Sequence, residues 1–344
     1  MKYCLGNVLE GKFLFIFILF FIFSCGSETK VKYRHHEGPI QGTMFHITYE
    51  WNEDLSYQID SLLKKFNSFL SNYDSNSIIS KINNNETDEI NELIAEMITA
   101  TETVHRNTDG AFDITVAPLA NLWGFGWIKK DKNTTPSHNE IDSVLQYVGI
   151  EKITITDNKI IKSNPKLAII GNAIAQGLSV DYISNYFFEL GLKNFLVEIG
   201  GEIYCSGVNS QNKEWQIGID KPIENTGYDK REQQLIVELQ NKAIATSGNY
   251  RKFIQNGNKK YGHTIDPRTG YPAENSLLSV SVISNSAMLS DAYATAFMVL
   301  GWEQSLQIVE KLENLEAFFI YLDYDNNETI VFTSGFKHYI KDNI

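Results

Sequence analysis

Four side chains toward the C-terminal end of this 344-residue chain, His263, Asp266, Asp291 and Thr295, have the types and spacing to do chemistry. In His263-Thr-Ile-Asp-Pro267 the proline fixes φ just after Asp266, and Arg268-Thr-Gly270 supplies a tight turn, so His263 and Asp266 should stand where a strand ends in a defined loop. Beyond it, the alternation of Leu278, Val280 and Val282 predicts a strand, and Ser286 opens a small-residue helix on which Asp291 and Thr295 lie one turn apart on one face. A carboxylate and a hydroxyl at that spacing can share a hard cation such as magnesium, whose shell is completed by water or phosphate oxygens. A lone Asp near a helix N-terminus is usually a cap or a dipole partner, but Asp291 does not stand alone. His263, with an ordinary pKa near neutrality, is the candidate general base, the alternative being a structural hydrogen-bonding residue of the loop. Asp266 is expected to orient the loop or a water rather than to react.

These groups need elements to hold them. Residues 42–50 alternate as a strand, and 55–70 carry apolar residues at helical spacing, as do about 90–105. Between the two helices, Ser71-Asn-Tyr-Asp-Ser-Asn-Ser77 is a turn cluster ending in an N-cap, with Tyr73 its only large side chain, an aromatic able to stack on something flat. Residues 108–119 lead into the glycine- and aromatic-rich Asn121-Leu-Trp-Gly-Phe-Gly126. Strands are expected at 152–156, 166–170, 195–199, 215–219, 234–239, 243–246, 317–322 and 329–332, with helices at about 173–190 and 302–312. No composition shift or fixed-period repeat divides the chain, so it reads as one mixed α/β (α+β) domain of mixed sheets and packed helices, with polar surface loops at 83–88, 130–140 and 223–233. Gly200-Gly201-Glu202 lacks the spacing of a dinucleotide fingerprint and suits a close turn beside a ligand, and Thr246-Ser-Gly lacks the surroundings of a hydrolase nucleophile.

The N-terminus is a separate matter. Lys2 and Lys12 precede an unbroken apolar run from Phe13 to Phe23, too short to span a bilayer, which takes about 20 residues. Residues 1–24 therefore read as a signal peptide, and Ile-Phe-Ser-Cys resembles a permissive lipobox in which Cys25 is acylated and becomes the mature N-terminus. Residues 25–39 are expected to be a polar tether and 40–344 the folded domain, exported, lipid-anchored to a membrane and facing the periplasm. Of three cysteines only Cys205 would then remain in the domain, as a small buried hydrophobe, so no intramolecular disulfide can form. The net charge of −12 repels nucleic acid and anionic headgroups, and no basic stripe with interleaved aromatics suggests a nucleic-acid surface.

Taken in order, Gly42-Thr-Met-Phe, Ser71-Asn-Tyr73, Gly110-Ala-Phe-Asp113, Ala173-Ile-Ala-Gln-Gly177 with Asp181, Gly200-Gly201-Glu202, Ala245-Thr-Ser-Gly-Asn249, His263-Thr-Ile-Asp-Pro267 and Asp291-Ala-Tyr-Ala-Thr295 resemble the ApbE family over essentially all of 40–340. The resemblance implies a T-fold-like domain and an FAD:protein FMN transferase, which moves FMN from FAD to a threonine hydroxyl of an acceptor protein, releases AMP and requires magnesium. It implies magnesium on the Ala173 carbonyl and the side chains of Asp291 and Thr295, and FAD against Met44, Tyr73, Ala111, Phe112, Asp113, Gln176 and Ile265. In this reading Tyr73 and Phe112 offer aromatic faces, and Asp113 accepts hydrogen bonds from the ligand. Implied partners are acceptor flavoproteins such as subunits of Nqr- or Rnf-type redox complexes. The chain departs from the family where many members have Lys, here Gln176, and where Asp-Leu-Gly is usual, here Ile170-Gly171-Asn172. Losing a cation there should place more weight on magnesium. An FAD pyrophosphatase and a non-catalytic flavin-binding lipoprotein share these residues and remain alternatives.

Overall fold

The computed structural model describes residues 32–128, 135–223, 232–249, 253–256 and 259–341. The signal peptide and Cys25 lie outside the described residues, as does most of the expected loop at 223–233. In chain order the elements are β1 (Tyr33–Ile40), β2 (Thr43–Glu50), α1 (Ser56–Leu70), α2 (Ile78–Asn83), α3 (Glu92–Asn107), α4 (Ala117–Trp123), α5 (His138–Leu145), β3 (Ile153–Thr156), β4 (Lys159–Lys162), α6 (Ala175–Glu189) and β5 (Phe195–Ile199). Then follow β6 (Glu202–Ser206), β7 (Trp215–Asp220), β8 (Gln233–Leu239), β9 (Lys242–Gly248), β10 (Phe253–Asn256), β11 (Lys259–Gly262), β12 (Leu277–Ser284), α7 (Ala287–Leu300), α8 (Trp302–Val309), β13 (Glu316–Leu322) and β14 (Glu328–Phe332).

Eight strands make one sheet in the order β1-β2-β5-β6-β9-β12-β13-β14. Every strand pairing is antiparallel, which gives the α+β form of a mixed α/β domain. The period-2 alternation of the strands sends neighbouring residues to opposite faces. Val282 and Phe319 join the buried residues of α3 and α7, whereas their neighbours Ile283 and Phe318 pack against Trp215, Ile217 and Val237 of the β7–β8 hairpin. The result is three layers, with helices on one face of the sheet and a hairpin on the other. Cys205 is fully buried on the hairpin side, where burial pushes its thiol pKa far up, as suits a small hydrophobe.

Two expectations need correction. Residues 33–39 are not tether, because β1 pairs with β2 along its whole length. The Tyr33 hydroxyl donates to the Val208 carbonyl at 2.7 Å, His36 meets Asp60 at 2.7 Å, and its ring sits edge-on to Phe45, so polar residues line a strand whose apolar contacts are few. Residues 166–170 are not a strand either. That segment is extended and buried at Leu167, Ile169 and Ile170, but side-chain amides serve its backbone: Asn83 accepts from Ile169 N and, like Asn72, donates to the Ile169 carbonyl, each at 2.8 Å. Backbone groups satisfied by asparagines need no neighbouring strand. Of the loop expected at 130–140, residues 130–134 lie outside the described residues, and 138–140 form the start of α5, which begins from a capping box made by Ser137 and Glu140.

The helix layer centres on Phe297, fully buried against Tyr293 and Phe319. Phe297→Ala should cost about 3–5 kcal/mol of unfolding free energy, measured by urea denaturation.

Candidate active site

Helices α6 and α7 place the central residues. Helix α7 begins at the N-cap Ser286, whose side chain accepts from Leu289 N, and it is buried over nearly its whole length. Its alanines, Ala292, Ala294 and Ala296, let it lie close on the sheet. Asp291, one turn in, is only 5% exposed. Burial raises its pKa to about 7, and the one hydrogen bond that offsets this comes from Gly177 N in α6, which donates to Oδ2 at 3.2 Å. Thr295 follows one turn later, half-buried. Asp291 is therefore not a helix cap. The capping role on α7 belongs to Asp181, whose carboxylate accepts from Ser286 Oγ at 2.6 Å, Ala287 N at 2.9 Å and Met288 N at 3.0 Å.

Around the start of α6 the other expected residues gather. Asn172 donates its side-chain amide to the Tyr73 hydroxyl at 3.2 Å, and the ring of Tyr73 is 69% exposed. Asn72, just before it, accepts from Gly171 N at 3.0 Å, so the turn carrying Tyr73 and the approach to Ala173 are locked together. On the other side, Gly200 donates its N–H to the Met44 carbonyl at 3.0 Å, and Met44 is itself partly exposed. Gly200 and Gly201 have φ of +73° and +115° and form the turn between β5 and β6. A Cβ on Gly200 would stand 2.0 Å from Gln176 Nε2 and 3.1 Å from Glu202 Oε2, so the Gln176 amide lies on bare backbone there. Pairwise contacts thus place Tyr73 by Asn172, Gln176 by Gly200, and Gly200 by Met44, around the start of the helix whose Gly177 meets Asp291.

His263 follows directly on β11 and is half-buried, with its ring at an edge angle to Phe125, 6.4 Å between centroids. Its neighbour Thr264 donates to Asn249 Oδ1 at 2.9 Å. Asp266 holds the loop: Arg268 donates to it from N and Nε at 2.9 Å each and from Nη2 at 2.8 Å. Ile265 is buried in a cluster with Trp123, Leu119, Ile141 and Ile170, so the loop carrying His263 and the approach to α6 rest on the same apolar group.

The Ala111–Asp113 segment is buried and turned inward. Ala111 and Phe112 are 1% and 2% exposed, and Phe112 belongs to the main core, so its ring face is covered by protein rather than offered to a ligand. Asp113 Oδ1 accepts from Thr115 N and Thr115 Oγ1 at 2.8 and 2.6 Å, and Oδ2 from Ile150 N at 2.8 Å. Its carboxylate organises a turn instead of pointing outward. His105 stands 3.4 Å from the same carboxylate, which raises the imidazole pKa. With Glu151 they form the one three-residue group of possible metal ligands among the described residues. His105 Nδ1, however, also faces the Phe112 carbonyl at 3.1 Å, and Asp113 is committed to three donors, so this group is a structural network.

The donors near Asp291 fit a hard cation better. A buried carboxylate with one backbone donor is under-compensated, and no turn hydrogen bond among the described residues ends on the Ala173 carbonyl. Neither Asn72 nor Asp181 stands out in the sequence as a site residue. Only their places in ordered motifs could have signalled them.

The fold is that of an α+β protein with one buried, under-compensated carboxylate, Asp291, at the contact of α6 and α7. The ApbE family model matches residues 41–319, and the chain belongs to that family. It is 34% identical over 330 residues to the FAD:protein FMN transferase of Haemophilus influenzae, covering 91% of this chain and 93% of that protein. It is 36% identical over 294 residues to the enzyme of the same name from Vibrio cholerae, covering 83% and 86%. The structure matches that of the flavin transferase ApbE from Vibrio cholerae with a TM-score of 0.79 at 33% identity, covering 90% of this chain and 99% of that one. It matches the apo flavinyl transferase ApbE of Pseudomonas stutzeri with a TM-score of 0.80 at 29% identity, covering 91% and 98%.

The buried carboxylate makes a pH prediction. Asp291 has a folded pKa near 7 against 3.8 ordinarily, so in metal-free protein its protonated form stabilises the fold at low pH. That contribution is lost as pH rises and is gone above about 7. Asp291→Asn should flatten this part of the Tm profile in chelator. Added magnesium should raise the wild-type Tm at pH 8 by at least about 2 °C and leave that of the variant unmoved.

Proposed function

We propose that this chain is an FAD:protein FMN transferase that uses magnesium and delivers FMN to a threonine hydroxyl of an acceptor flavoprotein. The observation that carries the reading is the under-compensated Asp291 carboxylate at the first turn of α6, next to the exposed Tyr73 and the Gln176 amide. Ala173, Asp291 and Thr295 would hold the ion. Bound there, magnesium neutralises the diphosphate and stabilises the departing phosphate. Tyr73 and Met44 present surface to the flat rings of FAD, and Gln176 offers amide donors in place of a cation. His263 takes the proton of the threonine hydroxyl, whose oxygen forms a bond to the phosphorus on the FMN side. The bond from that phosphorus to the AMP phosphate oxygen breaks, and AMP leaves. Phe125 and the Asn249–Thr264 hydrogen bond limit how far the imidazole can turn.

The names of the relatives support this reading, since those proteins are FAD:protein FMN transferases. Acceptors of the Nqr or Rnf type, and an exported protein anchored through lipid on Cys25 and facing the periplasm, complete the proposal. Among the described residues no helix is long and apolar enough to cross a membrane.

Full-length protein incubated with FAD, magnesium and a threonine-bearing acceptor domain should add the mass of FMN to the acceptor and release AMP, with both lost on chelation. Free FMN and AMP beside an unmodified acceptor would instead indicate a pyrophosphatase, and bound, unchanged FAD a binding protein. His263→Ala should slow transfer by about 10²–10⁴-fold while FAD still binds. Cys25→Ser should move the protein from the membrane fraction to the soluble fraction of cells.

A further inference from the structure

We infer that Gly177 and Asp181 are positioning residues for the cation site: by seating the first turn of α6 on the first turn of α7 they aim the Gly177 N–H at the Asp291 carboxylate and fix that carboxylate relative to the Ala173 carbonyl. The inference rests on the magnesium reading proposed above.

Gly177 is the third residue of α6, so its N–H is one of the first-turn donors without an intrahelical partner. It donates to Asp291 Oδ2 at 3.2 Å, and the Ala173 carbonyl, which precedes the N-cap Ile174, ends no turn hydrogen bond among the described residues. Ile174, with φ −156° and ψ −23°, takes the backbone out of helical geometry at this point. The Gly177–Asp291 hydrogen bond requires α7 to lie very close. A Cβ on Gly177 would stand 2.2 Å from the Ala287 carbonyl oxygen, 2.6 Å from its carbon and 2.8 Å from Met288 Cα. All three are backbone atoms, so the contact cannot yield by a side-chain rotation.

Asp181 fixes the same contact from the opposite side. It lies one turn beyond Gly177 on α6 and takes Ala287 N, Met288 N and Ser286 Oγ, the donors at the start of α7. Asp291, one turn beyond Ala287, takes a donor at the start of α6. Each helix supplies a carboxylate to the first turn of the other, with Gly177 and Ala287 as the point of closest approach. Displacing that point by an ångström would break the Gly177 N–H to Asp291 contact and move the carboxylate relative to the Ala173 carbonyl.

The test uses full-length Gly177→Ala and Asp181→Asn, with FAD turnover followed against magnesium concentration. The magnesium half-saturation, at saturating FAD, should rise about tenfold or more, as when partners that orient metal ligands are removed. The KM for FAD at saturating magnesium should stay within about twofold of wild type, and excess magnesium should restore the rate. A merely structural role would lower Tm and the active fraction without moving the half-saturation. Should Gly177→Ala fail to fold, the near-isosteric Asp181→Asn decides alone. Unchanged half-saturation beside a magnesium-requiring wild type would overturn the inference only, whereas wild-type turnover that survives chelation would overturn the magnesium reading beneath it.

Discussion

The burial of one carboxylate, Asp291, sets the terms for the site. Taking an ionised carboxyl from water costs several kcal/mol unless partners replace the lost hydration, and here the folded protein supplies one backbone donor at 3.2 Å. The pKa near 7 records that shortfall. A divalent cation would remove it, so the same feature that weakens the metal-free fold creates affinity for the ion. The rest of the architecture keeps this arrangement from relaxing. Behind α7 lie β9 and β12, with Val280 and Val282 fully buried, and to its side α6 is held at backbone contact.

Much of this was legible in the sequence because it rests on local signals. The alternation of 195–199 and the helical spacing of 55–70 identify β5 and α1 almost to the residue, and Ser77 and Ser286 announce α2 and α7 as N-caps. What escaped are features set by partners distant in sequence. β1 reads as polar and aperiodic because its stabilisation comes from pairing with β2 and from Tyr33 and His36 reaching other elements. Residues 166–170 read as a strand because their apolar pattern is that of a buried extended segment, yet asparagines 72 and 83 take the place of a neighbouring strand. In the candidate site, residue type distinguished Asp291 and His263. It could not show that Asp113 and Phe112 face inward, since a short Phe-Asp pair carries no periodicity to orient it.

The two sides of the site are built by different means, and the proposed chemistry explains why. The side proposed to hold the ion sits on two buried helices in backbone contact at Gly177, where small displacements of charge would change affinity. The base-bearing side is a loop stabilised by aromatic packing: Trp123 Nε1 donates to the Gly270 carbonyl at 2.8 Å, Tyr271 stacks edge-on to Trp123 and hydrogen-bonds His138, and Phe125 meets His263. Contacts of that kind orient an imidazole while leaving its approach open, which a proton acceptor for a protein-borne hydroxyl requires. A helix could not offer this, because its buried face would exclude the acceptor.

Charge explains the remaining asymmetry. In a chain of net charge −12, a diphosphate approaching Asp291 meets like charge, and Gln176 contributes donors but no cation. A divalent ion at Asp291 would, in the proposed reading, reverse the sign beside the diphosphate, and the neutral Gln176 amide lying on Gly200 would offer it a hydrogen-bond donor without adding to the attraction. In the proposed reaction an ion held at Asp291 would draw the dinucleotide in against the overall field, and that same field would favour release of AMP.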